Sequence, residues 1–94
     1  MYLSFDHKRK IFKSFPELTE EIKSNGRVNY VFVNSNQQRK VLARELTYTG
    51  NGYVSGQYLA NCEYVVDDRG WINIRDFNEK QLVDLIMRGV ESGK

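Results

Sequence analysis

From about Val28 to Gly89 the chain breaks into short runs of alternating apolar residues, punctuated by two strong turn signals, Gly50-Asn51-Gly52 and Asp67-Asp68-Arg69-Gly70. Strands of period two joined by so few residues pair antiparallel, because a parallel partner needs a long crossover. Residues 27–34 set Val28, Tyr30 and Phe32 on one face and Asn29, Val31 and Val33 on the other, a strand covered on both sides. Residues 53–59 read as a strand returning across Asn51-Gly52, with Gly56 marking a bulge or sharp bend. A type I′ turn at Asn51-Gly52 sets Thr49 opposite Val54 and Leu46 opposite Gln57. Residues 63–66 and 71–75 read as a second hairpin, closed by a type I turn with Gly70 in the left-handed position. In its last strand Ile72 and Ile74 share one face, and Trp71, Asn73 and Arg75 the other.

The final helix is the best specified element. Asn78 caps it, Gln81 completes the capping box, and Phe77 and Leu82 stand at the two positions of a hydrophobic staple. Leu82, Val83, Leu85, Ile86, Met87 and Val90 form a wide apolar face, Gly89 is the expected stop, and residues 91–94 read as a frayed tail. Near the other end, Ser14-Phe15-Pro16-Glu17 matches a capping box with proline in the first turn. Phe15, Leu18 and Ile22 follow at helical spacing and Gly26 supplies a left-handed stop, so a helix is expected over residues 15–24.

Two segments admit two readings. Tyr2, Leu3 and Phe5 can begin a strand, or Asp6 can cap a short basic helix through Lys13 with Ile11 and Phe12 facing inward. Residues 38–49 are rich in helix formers behind Ser35-Asn36-Gln37-Gln38, a potential capping box. They also run through the strand-like Leu46-Thr47-Tyr48-Thr49 into Asn51-Gly52, which favours strand. The expected fold is α+β. A four- to five-stranded antiparallel meander, bent enough to approach a small SH3-like barrel, packs with an N-terminal helix and a C-terminal amphipathic helix in one domain over residues 1–94.

The single cysteine, Cys62, excludes an internal disulfide and a multi-cysteine zinc site, and fits a reducing compartment. No apolar run approaches the roughly 20 residues needed to span a bilayer, and no signal-peptide core follows the N-terminus, so a cytoplasmic protein is expected. Charge alternates in blocks. Lys8, Arg9, Lys10 and Lys13 oppose Asp6 over residues 1–13, and Arg27, Arg39, Lys40 and Arg44 oppose Glu45 over residues 27–61. Residues 14–26 and 62–82 are acidic, so the blocks can dock on one another, on a second copy or on partners.

Chemistry is sparse. His7, the only histidine, has no sequence-adjacent nucleophile or orienting partner and reads as a surface residue. Cys62 lies beside Glu63, which opposes thiolate formation and makes it a structural thiol. Asp67 and Asp68 are turn residues, too few for a hard-cation site. Gly50-Asn51-Gly52 lacks the lysine and helix of a phosphate loop. No cofactor or metal is indicated.

The strongest constellation is Arg39, Lys40 and Arg44 beside Tyr48 and Tyr53, where cations suit phosphates and rings suit bases. The expected function is a non-enzymatic binding protein for an anionic ligand, nucleic acid or nucleotide. The alternative is a protein-binding regulator or inhibitor, of the small accessory type found in bacteria and their phages, acting through exposed tyrosines and a sheet edge. Six tyrosines and a small core also suggest a homo-oligomer or a hetero-complex.

Overall fold

The computed structural model describes residues 3–35, 40–56 and 64–93. Helix α1 spans Phe5–Lys13, strand β1 Thr19–Ile22, β2 Val28–Val31, β3 Val41–Leu46, β4 Tyr53–Ser55, β5 Trp71–Asn73, and helix α2 Glu79–Ser92. The strands form one antiparallel sheet in the order β1-β2-β3-β4-β5, the meander and α+β class expected from the sequence. The sheet is open, with β1 and β5 as its edges, so it does not reach the SH3-like barrel.

The N-terminal helix lies at residues 5–13 and not at 15–24. Its cap is Ser4, whose hydroxyl accepts from the His7 N–H at 3.1 Å. Ser14, read as an N-cap, instead closes this helix: its N–H and hydroxyl both donate to the Ile11 carbonyl. The segment read as helix becomes β1, pairing Thr19 with Val31 and Ile22 with Val28. Gly26 is left-handed as expected, with φ +83°, but it serves a tight β-turn closed by Gly26 N–H to the Lys23 carbonyl at 2.9 Å. Strand pairing wins because it places Glu20 against the Tyr30 hydroxyl and Arg9, while Ile22, counted on the helix's apolar face, stays 64% exposed.

Residues 41–46 are strand, the favoured reading, but the register across the loop differs. Ala43 faces Val54 and Arg44 faces Tyr53, so Thr49 is not opposite Val54. Gly50, at φ +88°, takes the positive φ that Asn51 and Gly52 were expected to carry. Bonds from Gly50 N–H to the Thr47 carbonyl (2.8 Å) and Thr47 N–H to the Asn51 carbonyl (2.9 Å) lengthen the turn. β3 also carries two extra residues against β2, one at the Arg44-Glu45 step, where Glu45 sits at φ +57° with its N–H on Asn29 Oδ1. Such bulges bend a sheet over its core.

The second turn forms as read, with Gly70 at φ +83° and its N–H on the Asp67 carbonyl at 3.0 Å. Residues 64–66 are not a strand, and β5 pairs with β4 instead, Val54 facing Ile72. The part of the expected returning strand beyond Gly56, with Gln57, lies outside the described residues, as does Glu63.

Helix α2 has its full capping box, Asn78 Oδ1 accepting from Gln81 N–H and Gln81 Oε1 from Asn78 N–H. It runs past Gly89 to Ser92, so that glycine is no stop and residues 91 and 92 are not frayed. Gly89 stands at a close contact: a Cβ there would lie 2.6 Å from Leu42 Cδ1, so any larger residue forces that side chain to shift. A Gly89→Val change is expected to destabilise by about 1–3 kcal/mol through overpacking, read as a lower urea midpoint.

The core gathers Ile11 and Phe12 of α1, Leu82, Leu85, Ile86 and Val90 of α2, and the inward residues Val28, Tyr30, Leu46, Val54 and Ile72. Trp71 is 6% exposed yet stands outside that cluster. It belongs to the other face of the sheet, as its alternation with Ile72 requires.

Candidate functional site

On the face of the sheet turned from the helices, antiparallel register brings Arg44 of β3 beside Tyr53 of β4. Tyr53 in turn faces Asn73 of β5, and Ser55 faces Trp71. The Arg44 guanidinium lies over the Trp71 indole, with its carbon 4.4 Å from the ring centroid. A cation held over an aromatic face is attracted by the ring quadrupole and loses rotational freedom before any partner arrives. Arg44 Nε is buried and has no hydrogen-bond partner among the described residues. Glu45 Oε2, at 3.9 Å, is too far to accept from it.

A shallow depression of about 390 Å³ opens here, lined by Arg44, Glu45, Tyr53, Asp67, Asp68 and Arg69. Its charge is mixed. Glu45 is engaged by Arg27 at 2.5 Å. The N–H of Trp71, with that of Arg69 and the nearby Arg44 and Arg69 charges, holds the Asp67 carboxyl below its ordinary value, so Asp67 stays ionised.

Of the five residues expected to form the site, the fold brings together Arg44 and Tyr53. Lys40 is exposed and its ammonium donates to the Ser35 carbonyl. Tyr48, 86% exposed, stands on the 47–52 loop beside Arg27 and Asn25, in a different depression. Arg39 lies outside the described residues, as does Cys62. His7 Nε2 pairs with Glu79 Oε1 at 2.7 Å, linking α1 to α2. Asp67 and Asp68 serve the turn, and no cluster of three or more metal-ligating side chains occurs among the described residues. Nor is any helix among them long and apolar enough to cross a membrane.

Sequence reading missed Trp71 as the platform under Arg44. Its alternation placed it on the outer face, but the partner comes from a strand whose register the sequence did not settle. One polar node against the sheet was also missed. Arg9 grips Glu20 through two bonds of 2.8 and 2.9 Å, and the Tyr30 hydroxyl donates to the same carboxylate at 2.9 Å. Arg9 above all, with Tyr30, holds the Glu20 carboxyl below its ordinary 4.5, whereas burial pushes the Tyr30 phenol up. A lowered carboxyl stabilises the fold above pH 4.5, and that contribution is lost as the pH falls through its folded value. A Glu20→Gln variant is therefore expected to lose stability at neutral pH and to show a flatter fall in urea midpoint below pH 4.5.

No family model matches the chain, and no curated protein or solved structure shows significant similarity to it.

Proposed function

We propose that the chain is a binding protein that engages a protein partner through the outer face of its sheet, centred on Arg44, Tyr53 and Trp71. The observation that carries this reading is the Arg44–Trp71 stack, with Tyr53 beside Arg44 on the neighbouring strand. Arginine, tyrosine and tryptophan dominate the energetics of protein interfaces, and a pre-stacked group costs little entropy to bury. The Arg44 side chain keeps 34% of its surface exposed, open to an acceptor supplied by a partner, such as a backbone carbonyl. The cations of the depression, Arg44 and Arg69, are offset by the carboxylates of Glu45, Asp67 and Asp68, which weakens its attraction for phosphates and favours a protein over a nucleic acid or nucleotide.

The test is affinity capture with the wild-type chain and with Arg44→Ala and Tyr53→Ala, with and without nuclease and across a salt series. A protein captured independently of nuclease, and lost from each variant by about 2 kcal/mol, roughly thirtyfold, is the expected result. Capture abolished by nuclease, or falling steeply with salt as phosphate contacts do, would overturn it in favour of an anionic ligand.

A further inference from the structure

A second concave feature lies along β5, an edge of the sheet among the described residues. The groove measures about 510 Å³ and is lined by Tyr64, Val65, Asp67, Trp71, Asp76 and Phe77, among others. That volume lies in the range of sites that enclose ligand groups. The Tyr64 and Phe77 rings form one wall, their centroids 5.0 Å apart, and the Tyr64 hydroxyl is fixed on Asp84 at 2.9 Å. Val65 is 88% exposed, an apolar side chain at the rim.

Backbone groups open onto the same edge. β4 occupies one side of β5, where Gly56 N–H meets the Gly70 carbonyl at 2.8 Å and Ile74 N–H meets the Gly52 carbonyl at 3.0 Å. Antiparallel bonding alternates, so residues 70, 72 and 74 face β4 and residues 71 and 73 face away from it. Asp67 already takes both outward groups of Trp71, its N–H on the Trp71 carbonyl and its Oδ1 receiving the Trp71 N–H, each at 2.9 Å. The outward N–H and carbonyl of Asn73 have no strand beside them among the described residues.

The charged side chains that line the groove are acidic, with Arg44 and Arg69 acting on Asp67 from outside it. Asp67 and Asp76 line it, and no cationic side chain does so among the described residues. The Lys8 ammonium, which feels the Asp76 charge, is spent on the Gly50 and Arg75 carbonyls.

We infer that this groove receives an extended segment of a partner protein, added as a strand along β5, in which apolar residues alternate with lysine or arginine. Main-chain pairing at Asn73 supplies the register. The wall of Tyr64, Phe77 and Val65 takes an apolar side chain, and the two carboxylates select a basic one. The groove shares Trp71 and Asp67 with the outer-face site but does not use Arg44 or Tyr53, whose alanine variants test that reading separately. A peptide that fails to bind here leaves that reading standing.

The experiment titrates the full chain, followed by amide NMR, with a short blocked peptide alternating valine and lysine. Three controls accompany it: the same peptide N-methylated at alternate amides, a valine–glutamate counterpart, and the variant Val65→Lys, whose exposed position leaves folding intact. The valine–lysine peptide is expected to bind and to shift the amides of Val65, Asn73 and Asp76. Each control is expected to bind at least about tenfold more weakly, the factor set by losing a main-chain bond or a charge match. No binding of the valine–lysine peptide, equal binding of either control peptide, or shifts centred on Glu20 and Glu21 of the opposite edge would each overturn the inference.

Discussion

Phe12→Ala is expected to destabilise the fold by about 3–5 kcal/mol, the cost of deleting a buried aromatic and leaving a cavity. The Phe12 ring is fully buried and stacks on Tyr30, with centroids 4.4 Å apart and planes within 9°. It is the contact through which α1 closes over β2, and Tyr30 beside it carries the bond to Glu20. Removing the ring therefore loosens both the apolar seam and the Arg9–Glu20–Tyr30 network. Urea unfolding reads the loss directly. A midpoint within error of wild type would mean that α1 does not dock on the sheet.

Lys8→Met is expected to cost about 2–6 kcal/mol although it replaces a charge by an apolar chain of similar length. Lys8 is completely buried, with Nζ donating to the Gly50 carbonyl at 2.5 Å and to the Arg75 carbonyl at 3.1 Å. One side chain of α1 thus ties down the left-handed turn at Gly50 and the connection from β5 to α2. Exchanging a buried ion pair for hydrophobic residues is often harmless because both charges leave together. Here the two carbonyls remain and lose their donor, and an unpaired buried acceptor costs roughly 1–3 kcal/mol. Burial pushes the Lys8 ammonium below its ordinary 10.5, opposed by the Asp76 charge. A lowered amine binds fewer protons folded than unfolded, so its contribution to stability rises as the pH climbs through the folded value toward 10.5. The variant should lose that alkaline rise. If Lys8→Met proves as stable as wild type, the lysine is not the tie described.

Much of the fold follows from local chemistry. The α2 cap at Asn78 and Gln81, the turn at Gly70, the strand at residues 28–31 and the α+β class all rest on side chains acting on their own neighbours. The site was legible only in part. The sequence named Arg44 and Tyr53 and set Trp71 on the face away from Ile72, but proximity in the chain also drew in Tyr48, which the 47–52 loop carries elsewhere.

What the sequence by itself determined about this protein is therefore its class, its second turn, its final helix and the face on which each β5 residue stands. Only the tertiary structure decided the rest. The box at Ser14 and Glu17 lost to pairing between β1 and β2, because a capping signal is worth about 1 kcal/mol and a ladder with a partly buried carboxylate network offers more. The register of β3 against β4 passed from Asn51-Gly52 to Gly50, whose carbonyl is held by Lys8 from 42 residues away in the chain. Lys8 stands on the same helical face as Phe5 and Phe12, but it was counted only as part of a basic block, and its two acceptors come from distant loops. The Arg44–Trp71 stack depends on both strand registers at once. Local signals act over three or four residues, whereas register, close approach and buried polar partners are settled by groups that meet only when the whole core closes.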